Sequence, residues 1–527
     1  MQNKIVIESL IEASSNTLPD QKLIEPIEKL LTTSPEIVME LLPYYMSMQD
    51  NPQKESAILK LILRCLDQLR YNLDRGGQKA NELFKQVQDM LSDLFNKNKT
   101  DKLSSLNAIL YQSHLPFTLN LNEDFLKKDK DDIPDIMPKL PEFLEQIRKK
   151  HRIRSSFDLY DGFMSQMQIM PVSVQLFLIS ELVATTKSIP HEVAVMMLLH
   201  PNREVRLQVA RLMENIHKKV FTSLDLRRLI VIRNWILADE RVAIDNLIKE
   251  IRLQKIEPAP YPISKIDKVV ASVFDGAGAQ LILFQAKQDN HRVVGGFILK
   301  QGIGIREPWV NTKAAKGEFE QICEHNEMEL KPITLAYVHK AVRHFLAEGH
   351  ASGTIPSPLL LQIAEIMGVR EWQAELILIP NELMEINTKV DFDLRNENEV
   401  KASFNRSGQW DRTESFFRYW FECGELAEES LEQAVQEHQR ISRKGNKIEM
   451  ETIAIDKIIK PVLKKWKIII FFTYLWACSK PIKEALAKDL LILLDQLELG
   501  ATPLADIPVI QNIARQTAAS IIRRSHF

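Results

Sequence analysis

The chain has 527 residues, 45% of them hydrophobic and 26% charged. That composition excludes a wholly disordered chain, a collagen and a multi-span membrane protein, and the length predicts two to four domains. Lys and Arg number 68 against 70 Asp and Glu, so no strong overall field draws the protein to nucleic acid or membrane. Only 17 residues are Gly, and the abundance of Leu, Ile, Lys and Glu favours helix.

The opening stretch Met1–Glu8 meets an acid before an apolar run can form, so no secretory signal is expected. Cys65, Cys323, Cys423 and Cys478 are too widely spaced for a CxxC motif, which predicts reduced, mostly buried thiols and a cytoplasmic location. Residues 1–115 read as a helical region. Ile58, Ile62, Cys65, Leu66 and Leu69 recur at helical period, and Gly76-Gly77 is the predicted stop. Residues 116–141 read as a linker, punctuated by Pro116, Pro134, Pro138 and Pro141 and carrying the charged run Lys127–Asp132.

Residues 142–256 are predicted helical and basic. His191–Leu199 and Arg203–Ile216 form one helix pair, with Asn202 as N-cap and Val205, Val209 and Leu212 on the inner face. Leu224–Ile236, capped by Ser223, and Arg241–Ile251 form the next pair. Val205 and Val242 stand in register, 37 residues apart, a period within the range of α-solenoids. The run Pro201-Asn202-Arg203-Glu204-Val205-Arg206-Leu207-Gln208-Val209-Ala210 resembles the second-helix motif of a HEAT repeat. The resemblance covers about residues 165–256 and weakens in the next unit, where Ala243 follows Val242 instead of Arg. It implies a HEAT-like helical array, a fold that most often binds proteins and in some cases nucleic acid.

Residues 257–264, with Pro258, Pro260 and Pro262, are predicted to be an exposed, extended connector. Residues 265–310 read as a small antiparallel β meander, with strands over Val269–Phe274, Ala279–Ala286 and Arg292–Leu299 and a short fourth near Gly302–Ile305. Residues 311–527 read as a C-terminal helical region, with helices over Ile333–Glu348, Ser357–Met367, Thr413–Gly424, Leu426–Arg440, Ile453–Cys478 and Ile482–Leu499. A long polar loop is expected over 380–412, and Pro461 should kink or split its helix. The fold class is therefore mostly α, a HEAT-like α-solenoid or an irregular helical array, with a small antiparallel β insertion. The longest apolar run, Ile468–Cys478, is about half the ~20 residues a membrane span needs.

No phosphate-binding, dinucleotide-binding, serine-hydrolase or zinc-protease motif occurs, and no catalytic residue, metal or cofactor is expected. Asp275-Gly276-Ala277-Gly278 after a strand is the most enzyme-like string, but it reads as a hairpin turn. His339 and His344, five residues apart, fall on different helix faces, while His344, Glu348 and His350 approach one another at a helix end. The aromatic cluster Trp410, Phe416, Phe417, Tyr419, Trp420 and Phe421 reads as core. Between Arg148 and Lys255 there are 18 Lys and Arg against 11 Asp and Glu. Arg203, Arg206, Arg211, Arg227, Arg228 and Arg233 are predicted to project to solvent there and to form a partner-binding surface. The function expected is a non-enzymatic protein-interaction scaffold. The alternatives are nucleic-acid binding through the basic 148–255 surface and, third, an enzyme centred on the β segment.

Overall fold

A computed structural model describes residues 34–49, 51–97, 102–117, 140–150, 153–168, 172–216, 220–370, 372–424, 427–433, 450–479 and 484–525, with single positions 30, 119 and 170. The start at Met1–Glu8, most of the expected linker 116–141, the basic positions His151 and Arg152 and the second half of the helix expected over Leu426–Arg440 lie outside them. Among the described residues the chain is mostly α-helical with one antiparallel five-stranded sheet. It divides into two compact units, Met1–Val220 and Phe221–Phe527.

The first unit begins with α1 (Val38–Ser47), α2 (Pro52–Leu73), α3 (Gln78–Lys97) and α4 (Lys102–Gln112). Asn51 caps α2 by accepting the Lys54 N–H at 3.1 Å, and Pro52 occupies the first turn, where its missing N–H has no partner to lose. The predicted face Ile58, Ile62, Cys65, Leu66 and Leu69 is buried against Val38, Leu42, Val87, Leu91, Leu106 and Leu110. Next come α5 (Leu140–Lys150), α6 (Ser156–Met167), α7 (Val172–Ala184), α8 (Ser188–Met196) and α9 (Arg203–Asn215). A 3-10 turn, Met197–Leu199, extends α8. Asn202 caps α9 as expected, accepting the Glu204 N–H at 2.8 Å. The inner face of α9 is Val205, Val209 and Met213; Leu212 is half-buried. α6 packs on α8 and α7 on α9, with α7 also against α8.

The second unit opens with α10 (Ser223–Trp235) and α11 (Arg241–Leu253), again joined through a 3-10 turn, Ala238–Glu240. The cap of α10 is Thr222 rather than Ser223. Thr222 forms a reciprocal capping box with Asp225, so the acid at the third helical position, not the hydroxyl identity, sets the boundary. The register assigned to Val205 and Val242 does not hold. Val205 is buried while Val242 is 66% exposed, because Ile244, Leu247, Ile248 and Ile251 form the inner face of α11.

The sheet contains β1 (Ser264–Ala271), β2 (Ala279–Gln288), β3 (His291–Lys300), β4 (Gly304–Asn311) and the two-residue β5 (Lys331–Pro332), in the order β4-β3-β2-β1-β5. The predicted meander is present, with β1 starting earlier than expected and β4 longer. One face packs Val270, Leu283 and Val294 against Phe319 of the short helix α12 (Glu318–Glu324). On the other face Phe274 stacks on Phe345 of α13 (Leu335–Ala351), with ring centres 5.6 Å apart. Phe472 completes that cluster at 5.5 Å from Phe274. β4 lies against α13 and α14 (Pro358–Met367). There Gly304, at φ +110°, brings its backbone against Gly349, where a Cβ would sit 2.9 Å from the Gly349 Cα.

The loop expected over 380–412 is instead largely helical: α15 (Ile379–Asn387), α16 (Glu397–Ser407) and a single turn, Trp410–Thr413. Asn396 caps α16 by accepting from Asn398 and Glu399. The helix expected over Thr413–Gly424 gives way to a 3-10 turn, Ser415–Tyr419, and irregular chain. Phe416, Phe417 and Trp420 are nevertheless core, as their apolar density predicts. Pro461 splits its helix as expected. A π turn, Ile455–Ile459, and a 3-10 turn, Lys460–Val462, precede α17 (Leu463–Cys478), because proline removes one ladder donor. α18 (Glu484–Leu499) and α19 (Pro508–Ser525) end the fold. No helix among the described residues is long and apolar enough to cross a membrane.

Candidate functional site

The six arginines expected at the surface divide in two. Arg203 and Arg211 are exposed on α9, and Arg233 is half-exposed on α10 with its guanidinium on Asp245 at 2.5 Å. Arg206, Arg227 and Arg228 are buried, which corrects the expectation that they project to solvent. Arg206 reaches back over the turn before its helix and donates Nη1 to the carbonyls of His200 (2.8 Å) and Pro201 (3.0 Å). It stays buried because those carbonyls are left open by the helix break. Arg228 Nε and Arg227 Nη2 share Oε1 of Glu365 on α14, at 2.9 and 3.0 Å. Arg227 also donates to the Pro260 carbonyl and lies over the Tyr261 ring at 5.1 Å. Connector residues 257–263 have neither helix nor strand, Ser264 already belonging to β1, and Pro258 and Pro260 are exposed, but Arg227 and the Ala259 N–H, bonded to the Ser223 carbonyl at 2.8 Å, moor the connector to α10. Sequence could not show this, since Glu365 lies 137 residues from Arg228.

The Asp275 turn is held on all sides by structural bonds. Asp275 Oδ1 accepts the Ala279 N–H at 2.8 Å. Lys300 and Lys465 each donate Nζ to turn carbonyls, Ala277 and Gly276, at 2.7 Å. Gly276 donates its N–H to the Tyr419 carbonyl, and a Cβ there would lie 2.1 Å from the Phe421 carbonyl oxygen. Three tryptophans complete the clamp. Trp420 donates to the Phe274 carbonyl and Trp476 to the Ala271 carbonyl, both at 3.0 Å, while Trp466 donates to Glu422 at 2.7 Å.

The histidines are likewise engaged. His344 Nε2 and Glu348 approach to 3.7 Å, but His350 turns away to the Trp235 carbonyl at 2.7 Å. Cys323 and His325 bring no third ligand; among the described residues no group of three or more His, Cys, Asp or Glu is placed to hold a metal. Of the cysteines only Cys65 is buried and Cys478 is exposed, so the expected burial holds for one thiol in four.

Large apolar side chains do reach solvent. Leu253 of α11 is 74% exposed, and at eleven residues from Val242 the two lie on one line of the helix. Ile263, at the end of the connector, is 91% exposed.

Residues 171–255 match the family described as "Y4lR second domain", and residues 381–522 match "Y4lR C-terminal helical domain". The sheet with α13 and α14 lies between the two matched segments. The chain is 26% identical over 207 residues to "Uncharacterized protein y4lR" of Sinorhizobium fredii (strain NBRC 101917 / NGR234), a match that covers 36% of this chain and 38% of that protein. No solved structure matches.

Proposed function

We propose that the protein is a non-enzymatic interaction scaffold that binds a protein partner through the HEAT-like helix pairs of region 142–256 in a reducing, cytoplasm-like compartment. The observation that carries this reading is the alternate stacking of α6 on α8 and α7 on α9. In an α-solenoid each helix of a pair packs on its counterpart in the next pair, which leaves one long face free for a ligand. The repeated helix, 3-10 turn, helix construction of α8–α9 and α10–α11 supports it further. The exposed Val242 and Leu253 supply apolar contact area of the kind that protein partners cover. Burial of Arg206, Arg227 and Arg228 takes three cations out of the basic surface that nucleic-acid binding would use.

The test is recovery of the full chain from cells with and without nuclease, followed by mass spectrometry. A defined protein that survives nuclease, and is lost from Val242→Asp/Leu253→Asp, is expected. Recovery that nuclease abolishes would replace this reading with nucleic-acid binding.

A further inference from the structure

The extended segment Trp372–Leu378 has neither helix nor strand, yet it is tied to α13 at two histidines. The Trp372 indole N–H donates to His339 Nδ1 at 2.9 Å, and the Ile377 backbone N–H donates to His344 Nδ1 at 3.1 Å. An indole and a backbone amide are donors only, so both Nδ1 atoms must be unprotonated acceptors. A proton on either Nδ1 turns its hydrogen bond into two opposed N–H groups. We propose that His339 and His344 form an acid-released clasp that fastens this segment to α13 when neutral and lets it go when protonated. The inference does not rest on the scaffold reading.

The surroundings allow this. His344 Nε2 is buried without a hydrogen-bond partner, 3.7 Å from Glu348 Oε1, and Glu348 already accepts the Gly302 N–H. The Phe345 and Phe472 rings enclose the imidazole, with centres 5.1 and 5.6 Å away. Lys464 of α17 opposes a second positive charge there, and burial with that charge lowers the His344 pKa to about 4. Burial also lowers that of His339. Around the rest of the segment, Arg343 pairs with Glu375, Lys340 pairs with Glu382, and the Glu375 N–H donates to the Arg343 carbonyl. The Trp372 carbonyl keeps its bond to the Trp235 indole at 2.9 Å and Glu375 keeps its ties to Arg343, so the released stretch is Leu376–Leu378.

Hydrogen exchange of the full chain, corrected for intrinsic rates, tests the clasp between about pH 7 and about pH 4. Protection of a peptide over residues 373–378 should fall about tenfold, the equivalent of one hydrogen bond, while peptides from α17 keep theirs. In His339→Asn/His344→Asn the amide oxygens accept without titrating, and protection should persist in acid. Flat protection in the unmodified protein, simultaneous loss in α17, or an equal acid loss in the Asn variant would each overturn the proposal. Should the Asn variant fail to fold, the comparison of the two peptides in the unmodified protein decides.

Discussion

Glu365 is the residue on which the buried arginines depend. Its side chain is 10% exposed and its Oε1 receives both Arg228 and Arg227, whose side chains are 4% and 7% exposed. Glu365→Gln keeps the volume and one acceptor but removes the carboxylate that the two guanidinia share. Removing one partner of a buried ion pair costs about 3–5 kcal/mol, most of it from the charge left behind. Arg228→Met takes away one guanidinium and leaves Arg227 on Glu365, so it should cost less, about 1.5–3 kcal/mol. A domain is stable by only about 5–15 kcal/mol, so the first substitution removes a large share. Urea unfolding followed by tryptophan fluorescence reads both, since Trp235 stacks on Trp372 within the same unit. If Glu365→Gln moves the midpoint less than Arg228→Met does, the charge argument fails. If Arg228→Ser leaves the midpoint unchanged and weakens partner binding, these arginines act at the surface after all.

Gly276→Ala should destabilise severely, because the new Cβ meets the Phe421 backbone at 2.1 Å; Gly302→Ala, with nothing within 4 Å, should cost only about 1 kcal/mol for its positive φ. Differential scanning calorimetry separates the two. Asp275→Asn should shift stability by less than about 0.5 kcal/mol, since an amide oxygen also accepts the Ala279 N–H; loss of an assayable activity with an unchanged melting curve would instead make Asp275 catalytic. Burial lowers the His200 pKa to about 4, so the folded state holds the ring neutral. The unfolded chain takes up that proton near pH 6.5, so this stability is complete above ~6.5 and falls by up to roughly 3 kcal/mol as pH drops to ~4. His200→Asn should flatten that slope in a series of urea melts.

The legible parts of this fold were those whose partners lie close in sequence. The α2 face, the Asn202 cap, the meander and the break at Pro461 all follow from residues within a few turns of one another. Residues 380–412 misled because their asparagines signal caps and loops alike, and only Asn396 among the polar run shows which. The Arg228–Glu365 pair and the Trp476 tie to Ala271 span 137 and 205 residues, beyond the reach of periodicity or turn chemistry. Basic side chains were read as exposed because charge normally is. Arg206, Arg227 and Arg228 are exceptions: the open carbonyls of its own turn supply the acceptors for Arg206, and the distant Glu365 carboxylate supplies them for the other two.

The tryptophan clamp also imposes an order of events on synthesis. The five strands lie between Ser264 and Pro332, so the sheet can assemble soon after that stretch leaves the ribosome. Trp420 and Trp476, which fasten its Phe274 and Ala271 carbonyls, follow 146 and 205 residues later. At a translation rate of ~5–20 residues per second the second delay is roughly 10–40 s. From the synthesis of Phe345 to that of Phe472, 127 residues or roughly 6–25 s at that rate, the Phe274–Phe345 stack waits without Phe472 as an exposed apolar surface. A chain cut before Trp466 would lack Trp466, Phe472 and Trp476 together and leave that surface uncovered.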